Sequence, residues 1–478
     1  MTYSGIRETK PGRVNDYGGT GAQLASDYEK RCLKRADRTF AQGLQCQQIN
    51  SMACLMSMED AVFIAHSPQG CIGCTELAID QFRVGQIHRG RKVVRNPHII
   101  VSNLDSNSVV FGGDEKLRAS IDKAVERHHP KIVFVFASCA SGIIGDDIDA
   151  ICEEKGDEYP ETIIVPIHCE GFKSKICASG FDAAFISISK HVLPKDKPPT
   201  EEGLVNLFAP VSISYKDQCE MERVLGLLGC HANYIPFFSS VEKMRKIPAA
   251  QASTSICKVF ADEFMAQLER DYGIPYSHTV MPIGMRNTDL WLRGIAKAVG
   301  KEEQAEQIIE KEHERIAPLL AQIRERLQGK RVFICGGTGR SFAAAALVSD
   351  FGMELVGLET PTYDEDANDD VEYLNTLYKD YIVDIANMQP FEQANLLSKL
   401  KPDAFIGVPT WAAKLGIPTT HVLDFKRPTM GYDGIIFLGN KIADQLDNPG
   451  FNKKLAAHVK LPYRESWYQQ DAFKFIAQ

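Results

Sequence analysis

Three cysteines stand where a thiolate could do chemistry. Cys46 and Cys71 bound the stretch CQQINSMACLMSMEDAVFIAHSPQGC, and Cys139 closes the apolar run VFVFASC. Thiolates are the usual ligands of iron–sulfur clusters. Three per chain fall short of the four that a cubane takes, which points to a cluster completed across a subunit interface. Cys71-Ile72-Gly73-Cys74 is a lone CxxC, and by itself does not select among redox, metal-binding and packing roles. The chain has no GxSxG, no HExxH and no paired CxxC of the zinc type. The Gly-rich turn GGTGRS, with Gly336 and Gly337, follows a strand-like run but matches neither a phosphate loop nor a full GxGxxG. Close backbone packing or an anion contact is its expected use, and no ATP site is expected in this chain.

With 478 residues, the chain is too long for one core, and two to four domains are expected. A formal net charge of −8 argues against a nucleic-acid surface. No run approaches the roughly 18 apolar residues of a membrane span. The N-terminal MTYSGIRETKPGRVNDYGGTG has no apolar core of a signal peptide. It is expected to be a flexible or partner-wrapping arm on a cytoplasmic protein. Thirteen cysteines in that compartment do not suggest a disulfide framework. Cys32, Cys152, Cys219, Cys230 and Cys335 are expected to be small buried hydrophobes.

The elements that must position these thiols alternate between strand and helix. AVFIAH (61–66) and KIVFVFAS (131–138) are nearly continuous apolar runs, as in strands buried on both faces of a parallel sheet. Ser67-Pro68-Gln69-Gly70 breaks the first run and presents Cys71. A helix is expected from Asp114 to His128. ETIIVPIHCEGF (161–172) repeats the scheme, and the Pro-rich KDKPPTEEG (195–203) reads as a boundary. Residues 255–271 read as an amphipathic helix starting at Cys257 and stopped by Gly273-Ile274-Pro275. A long charged helix covers Lys301 to Leu327, and KRVFICGG opens a third unit. The alternation predicts an α/β chain of three doubly wound Rossmann-like domains with parallel sheets. Expected bounds are an arm over 1–45, then domains over 46–200, 201–329 and 330–478. Ligands in such sheets sit beyond the carboxyl ends of the strands. Cys71, Cys139, Gly336-Gly337 and His421 all fall at or near such ends.

The segments QCQQINSMACLMSMEDAVFIAHSPQGC, FASCASGIIGDDIDA and VPIHCEGF resemble the nitrogenase component 1 family. KRVFICGG, GMELVG and GYDGIIFLGNKIADQLDNPGF are similar to the C-terminal domain of its α-type subunits. The resemblance implies that Cys46, Cys71 and Cys139 hold an interfacial relay of P-cluster type, [8Fe-7S] or [4Fe-4S], shared with a β-type subunit in an α2β2 heterotetramer. It implies that Cys257 anchors a complex iron–sulfur cofactor. A separate homodimeric, ATP-hydrolysing iron protein would supply electrons.

Departures from the family pattern narrow the expected activity. Met430 stands where the α-type pattern has a cofactor-binding histidine before its GFDG motif, here GYDG. By alignment Cys177 and Phe181 replace a glutamine and a histidine beside the cofactor, and Gly339 aligns with a conserved arginine, with Arg340 one place on. Thioether is a weak substitute for imidazole at molybdenum, so an all-iron [8Fe-9S-C]-type cofactor is implied. His421, Cys177 and His278 are the candidate proton donors, and His421 is an alternative second ligand. This wall resembles that of the D-type subunit of methylthio-alkane reductases, which release methanethiol with ethylene or methane from small thioethers such as 2-(methylthio)ethanol or dimethyl sulfide. The alternatives are a cofactor-assembly scaffold, an unusual nitrogenase α subunit, and a tetrapyrrole reductase, against which Cys257 argues.

Overall fold

The computed structural model describes residues 6–34, 46–174, 176–210, 213–277, 280–386, 389–407 and 411–476. The side chains of Ile6, Glu8, Cys74 and Leu77 lie outside that description, as does His278. Strands form three sheets. The first is β2 (Ala61–His66), β3 (His98–Val101), β4 (Ile132–Ala137) and β5 (Ile163–Ile167), in the order β3-β2-β4-β5. The second is β6 (Glu201–Ala209), β7 (His231–Pro236), β8 (Ala250–Ser255) and β9 (Tyr276–Ser277), ordered β7-β6-β8-β9. The third joins β10 (Arg331–Cys335), β11 (Glu354–Thr360), β12 (Ile382–Ile385), β13 (Ala404–Gly407) and β14 (Thr419–Thr420) to β1 (Tyr17–Thr20). Its order is β1-β12-β11-β10-β13-β14.

Composition explains these layers. Every residue of β2 and β4 is buried, as their unbroken apolar runs require when helices cover both faces. Phe63 stacks on Phe134 with ring centroids 6.1 Å apart. The helix Asp114–His128 occupies its expected span and turns Leu117, Ile121 and Ala124 inward at helical spacing. Acidic residues open it and basic ones close it, matching the helix dipole.

In each sheet the strand order reverses once, and that is where ligands gather in doubly wound folds. The reversal lies between β2 and β4, between β6 and β8, and between β10 and β13. Cys71 follows β2 and Cys139 follows β4, and His66 pairs with Ala137, so both cysteines leave the sheet at one level. Cys257 follows β8, and Gly336-Gly337 follow β10.

Four expectations are corrected. β1 pairs antiparallel with β12, so the third sheet is not wholly parallel. The described part of the arm folds back on its own chain: Val14 exchanges backbone hydrogen bonds with Tyr363 at 2.9 and 3.0 Å, and Arg7 is 2% exposed. The helix expected from Cys257 begins at Asp262, because Ala261 takes a left-handed conformation (φ 63°) that interrupts it. Finally, Cys152 and Cys230 are buried as expected, whereas Cys32 and Cys219 are exposed. Among the described residues no helix is long and apolar enough to cross a membrane.

One buried carboxyl in the third sheet makes stability depend on pH. Glu359, at the end of β11, accepts from Gln393 Nε2 at 2.7 Å, and burial pushes its pKa from about 4.5 up to about 7. Between those values the folded chain keeps a proton that the unfolded chain has released. Its contribution therefore falls as pH rises through that window, by on the order of 2–3 kcal/mol. Glu359→Gln is expected to flatten this loss. The check is denaturant unfolding of both proteins at pH 5 and pH 8, with the variant gaining on wild type only at the higher pH.

Candidate functional site

The first thiol group sits at the reversal of the first sheet. Cys46 caps the helix Gln47–Leu55 with extended backbone, so its side chain stands outside the helix. Cys139 is the first residue of the short helix Cys139–Ile144. A reciprocal capping box between Ser138 and Ser141 fixes that helix. The two thiols converge on Gly171 of the CEGF motif. A Cβ placed there would lie 2.8 Å from Cys46 Sγ and 3.3 Å from Cys139 Sγ. Cys71 lies in the 3-10 turn Gln69–Thr75 that follows β2. All three are partly exposed. The donor set and the glycine-lined cradle fit an iron–sulfur cluster. Among the described residues no three Cys, His, Asp or Glu side chains close on a single-ion site.

Gly171→Ala tests that cradle. The added methyl would overlap Cys46 Sγ, and overpacking of this kind costs about 1–3 kcal/mol. We expect the variant to fold, yet to bind less iron than wild type, read by metal analysis after anaerobic purification.

The second group surrounds Cys257. Ser255 Oγ donates to Cys257 O at 3.0 Å and accepts from Cys257 N at 3.2 Å, and Phe260 N donates to Cys257 O at 3.0 Å. These bonds make a tight turn that aims the thiol at Gly339, whose missing Cβ would lie 3.2 Å from Cys257 Sγ. Thus Gly339 meets the thiol. Gly336 packs toward Ser341 Oγ, and Gly337 caps the helix Thr338–Asp350.

Cys177 opens the helix Cys177–His191, and Phe181 lies one turn on. Phe181 packs edge-on against Phe260 at 4.9 Å, beside the Cys257 turn. Cys177 Sγ donates to Asn50 Oδ1 at 3.1 Å, while Asn50 Nδ2 donates to Cys46 O at 2.9 Å. One amide therefore bridges the two thiol groups. Burial pushes the Cys177 thiol up to about 12, with Cys257 adding to the shift. Burial also raises Cys257, opposed by the backbone N–H of Val259 and the charge of Arg340.

Arg340 is buried and donates to Val422 O at 2.7 Å; burial lowers its pKa, with Asp217 and Cys257 opposing. His421 is next in the chain to Val422. Its pKa falls to about 4 through burial and the charges of Arg340 and Lys441, so its ring is neutral at pH 7. Met430 is fully buried before the helix Gly431–Asp447. Asp217 Oδ1 accepts from Thr429 N (2.6 Å) and Met430 N (3.1 Å). Sequence reading singled out neither Asn50 nor Asp217. Nothing local marks Asn50, but Ser214-x-x-Asp217 is a capping-box pattern and Asp217 completes one.

The model of the nitrogenase component 1 type oxidoreductases matches residues 46–447. The chain belongs to that family. Over 464 residues it is 28% identical to the nitrogenase iron-molybdenum cofactor biosynthesis protein NifE of Rippkaea orientalis, covering 94% of each chain. It is 26% identical over 411 residues to the nitrogenase molybdenum-iron protein alpha chain of Methanococcus maripaludis, covering 83% of this chain and 84% of that one. A solved structure titled "Nitrogenase Cp1 at pH 5" superposes with a TM-score of 0.72 at 23% identity. It covers 88% of this chain and 90% of that one, a likeness of fold.

Proposed function

We propose that this chain is the catalytic D-type subunit of a cytoplasmic reductase that cleaves C–S bonds in small thioethers. The observation that supports it most is the wall around Cys257. Cys177 is close enough to Cys257 for the two thiols to interact electrostatically, Phe181 packs on Phe260 beside the Cys257 turn, and a buried Met430 stands at the N-terminus of the Gly431 helix. The resemblance implies amide and imidazole groups at these positions. Without them the wall offers few donors for a polar substrate and more apolar surface for a thioether. The reaction would be CH3SCH2CH2OH + 2 e− + 2 H+ → CH3SH + C2H4 + H2O.

Cys46, Cys71 and Cys139, with a β-type subunit, would hold the relay cluster, and Cys257 would hold the complex iron–sulfur cofactor. When bound, these clusters would supply electron storage and a soft metal centre suited to a thioether sulfur. The chain's own groups would shape the pocket and hold protons. At pH 7 Cys177 keeps its thiol proton and His421 is a neutral imidazole, with one ring nitrogen carrying a proton and the other free to accept or ligate. Electrons would come from a separate ATP-hydrolysing iron protein.

The test is headspace gas chromatography on the anaerobic complex with its iron protein, MgATP, a low-potential reductant and 2-(methylthio)ethanol. Ethylene and methanethiol in equal amounts, and only with every component present, are expected. No product from a preparation with both sites filled would overturn the reading.

The similarity to NifE proteins along nearly the whole chain favours a second reading, a cofactor-assembly scaffold. Under it, the complex would hand its cluster to an apo acceptor protein. Under the first, the cluster stays through gel filtration with that acceptor.

A further inference from the structure

Arg7 comes from the polar N-terminal segment and is among the most deeply buried charged groups of the described chain, at 2% exposed. Its Nε and Nη2 donate to Asp182 at 2.7 Å each, and its Nη1 and Nη2 donate to Asp262 at 2.9 and 2.5 Å. Both carboxylates are themselves buried. Asp182 lies on the Cys177 helix, next to Phe181. Asp262 opens the helix that follows the Cys257 turn. Without a cation between them, two buried carboxylates would push these elements apart. A guanidinium suits the task, because its rigid fork bonds two carboxylates at once.

The tie continues along the segment. Lys10 reaches Asp262 at 3.2 Å and Asp366 on the helix Glu365–Leu377. Lys258, the neighbour of Cys257, grips the same helix through Asp370 at 2.9 Å and Asp366 O at 2.7 Å. The segment and the Cys257 turn are thus fastened to one support.

We propose that Arg7 is a positioning residue for the Cys257 site. It draws the Cys177 helix and the Cys257 turn together, so the site retains a cofactor only while the N-terminal segment is seated. This rests on the reading that Cys257 anchors the cofactor.

The experiment uses the complex with its partner subunit, purified anaerobically as wild type, R7M, R7K, the triple variant R7M/D182N/D262N and C257A. Iron content and the electron paramagnetic resonance signals of the relay and cofactor are read for each, with the rate of tryptic cleavage at the N-terminal segment. The triple variant removes Arg7 with both its carboxylate partners, so neither Asp182 nor Asp262 is left buried and unpaired, and Lys10 keeps Asp366. R7M and the triple variant are expected to lose at least about fivefold of the cofactor signal while the relay signal stays within about twofold of wild type. Cleavage should accelerate, and R7K should fall between. Retention of the cofactor by both methionine variants would overturn the proposal. So would parallel loss of both signals, which would make Arg7 a general tie of the fold. If C257A keeps the cofactor signal, the anchor reading itself fails and this inference goes with it.

Discussion

On the proposed reading, Cys257→Ala is expected to abolish thioether cleavage while leaving the fold intact. The turn that presents this residue is held by Ser255 Oγ and by backbone groups of residues 257 and 260, none of which needs the thiol. Removing one sulfur beside Gly339 should change stability by on the order of 1 kcal/mol. Loss of a contact that merely supports a ligand typically costs about 10–100-fold in affinity or activity. Loss of the anchoring ligand should exceed that, and product should fall below detection. Thermal unfolding beside headspace analysis separates the two effects. An inactive variant that melts with wild type is the expected pair of results, and an active one would remove Cys257 from the site.

On the same reading, Cys139→Ala is expected to break electron delivery without touching the Cys257 site. The capping box around this residue uses Ser138 and Ser141 only, and alanine is at least as good at a first helical position. The helix Cys139–Ile144 should therefore persist. What is lost is one of two thiols that meet over Gly171. Turnover driven by the iron protein should drop by more than about 100-fold. Iron attributable to Cys257 should remain near wild type, as judged by metal analysis of Cys139→Ala beside the double variant with Cys257→Ala. Turnover at the wild-type rate would show that Cys139 lies outside the electron path.

Much of this arrangement could be read from residue order. Apolar runs such as AVFIAH and VFVFA announce strands buried on both faces, and a cysteine just past such a run lies at the ligand-binding edge of a parallel sheet. The Asp114–His128 helix was legible because its spacing, first-turn acids and last-turn bases agree. Other features were hidden for physical reasons. Tyr17-Gly18-Gly19-Thr20 shows no apolar alternation, because it is a short edge strand recruited by β12. Arg7 is buried by two carboxylates distant in sequence, so its polar surroundings in the chain do not reveal its burial. The turn at Cys257 depends on a left-handed alanine that no propensity favours. Gly339, inside the helix Thr338–Asp350, faces a thiol from another sheet, which local patterning does not register.

The most direct measurement of the central claim is a side-by-side electron paramagnetic resonance and iron analysis of wild type, Cys139→Ala and Cys257→Ala, each purified anaerobically with the partner subunit. Two separable signals are predicted, one vanishing with Cys139 and the other with Cys257, with iron falling by a different amount in each. A single signal, or two that fall together in either variant, would contradict an account built on two thiol sites in one chain.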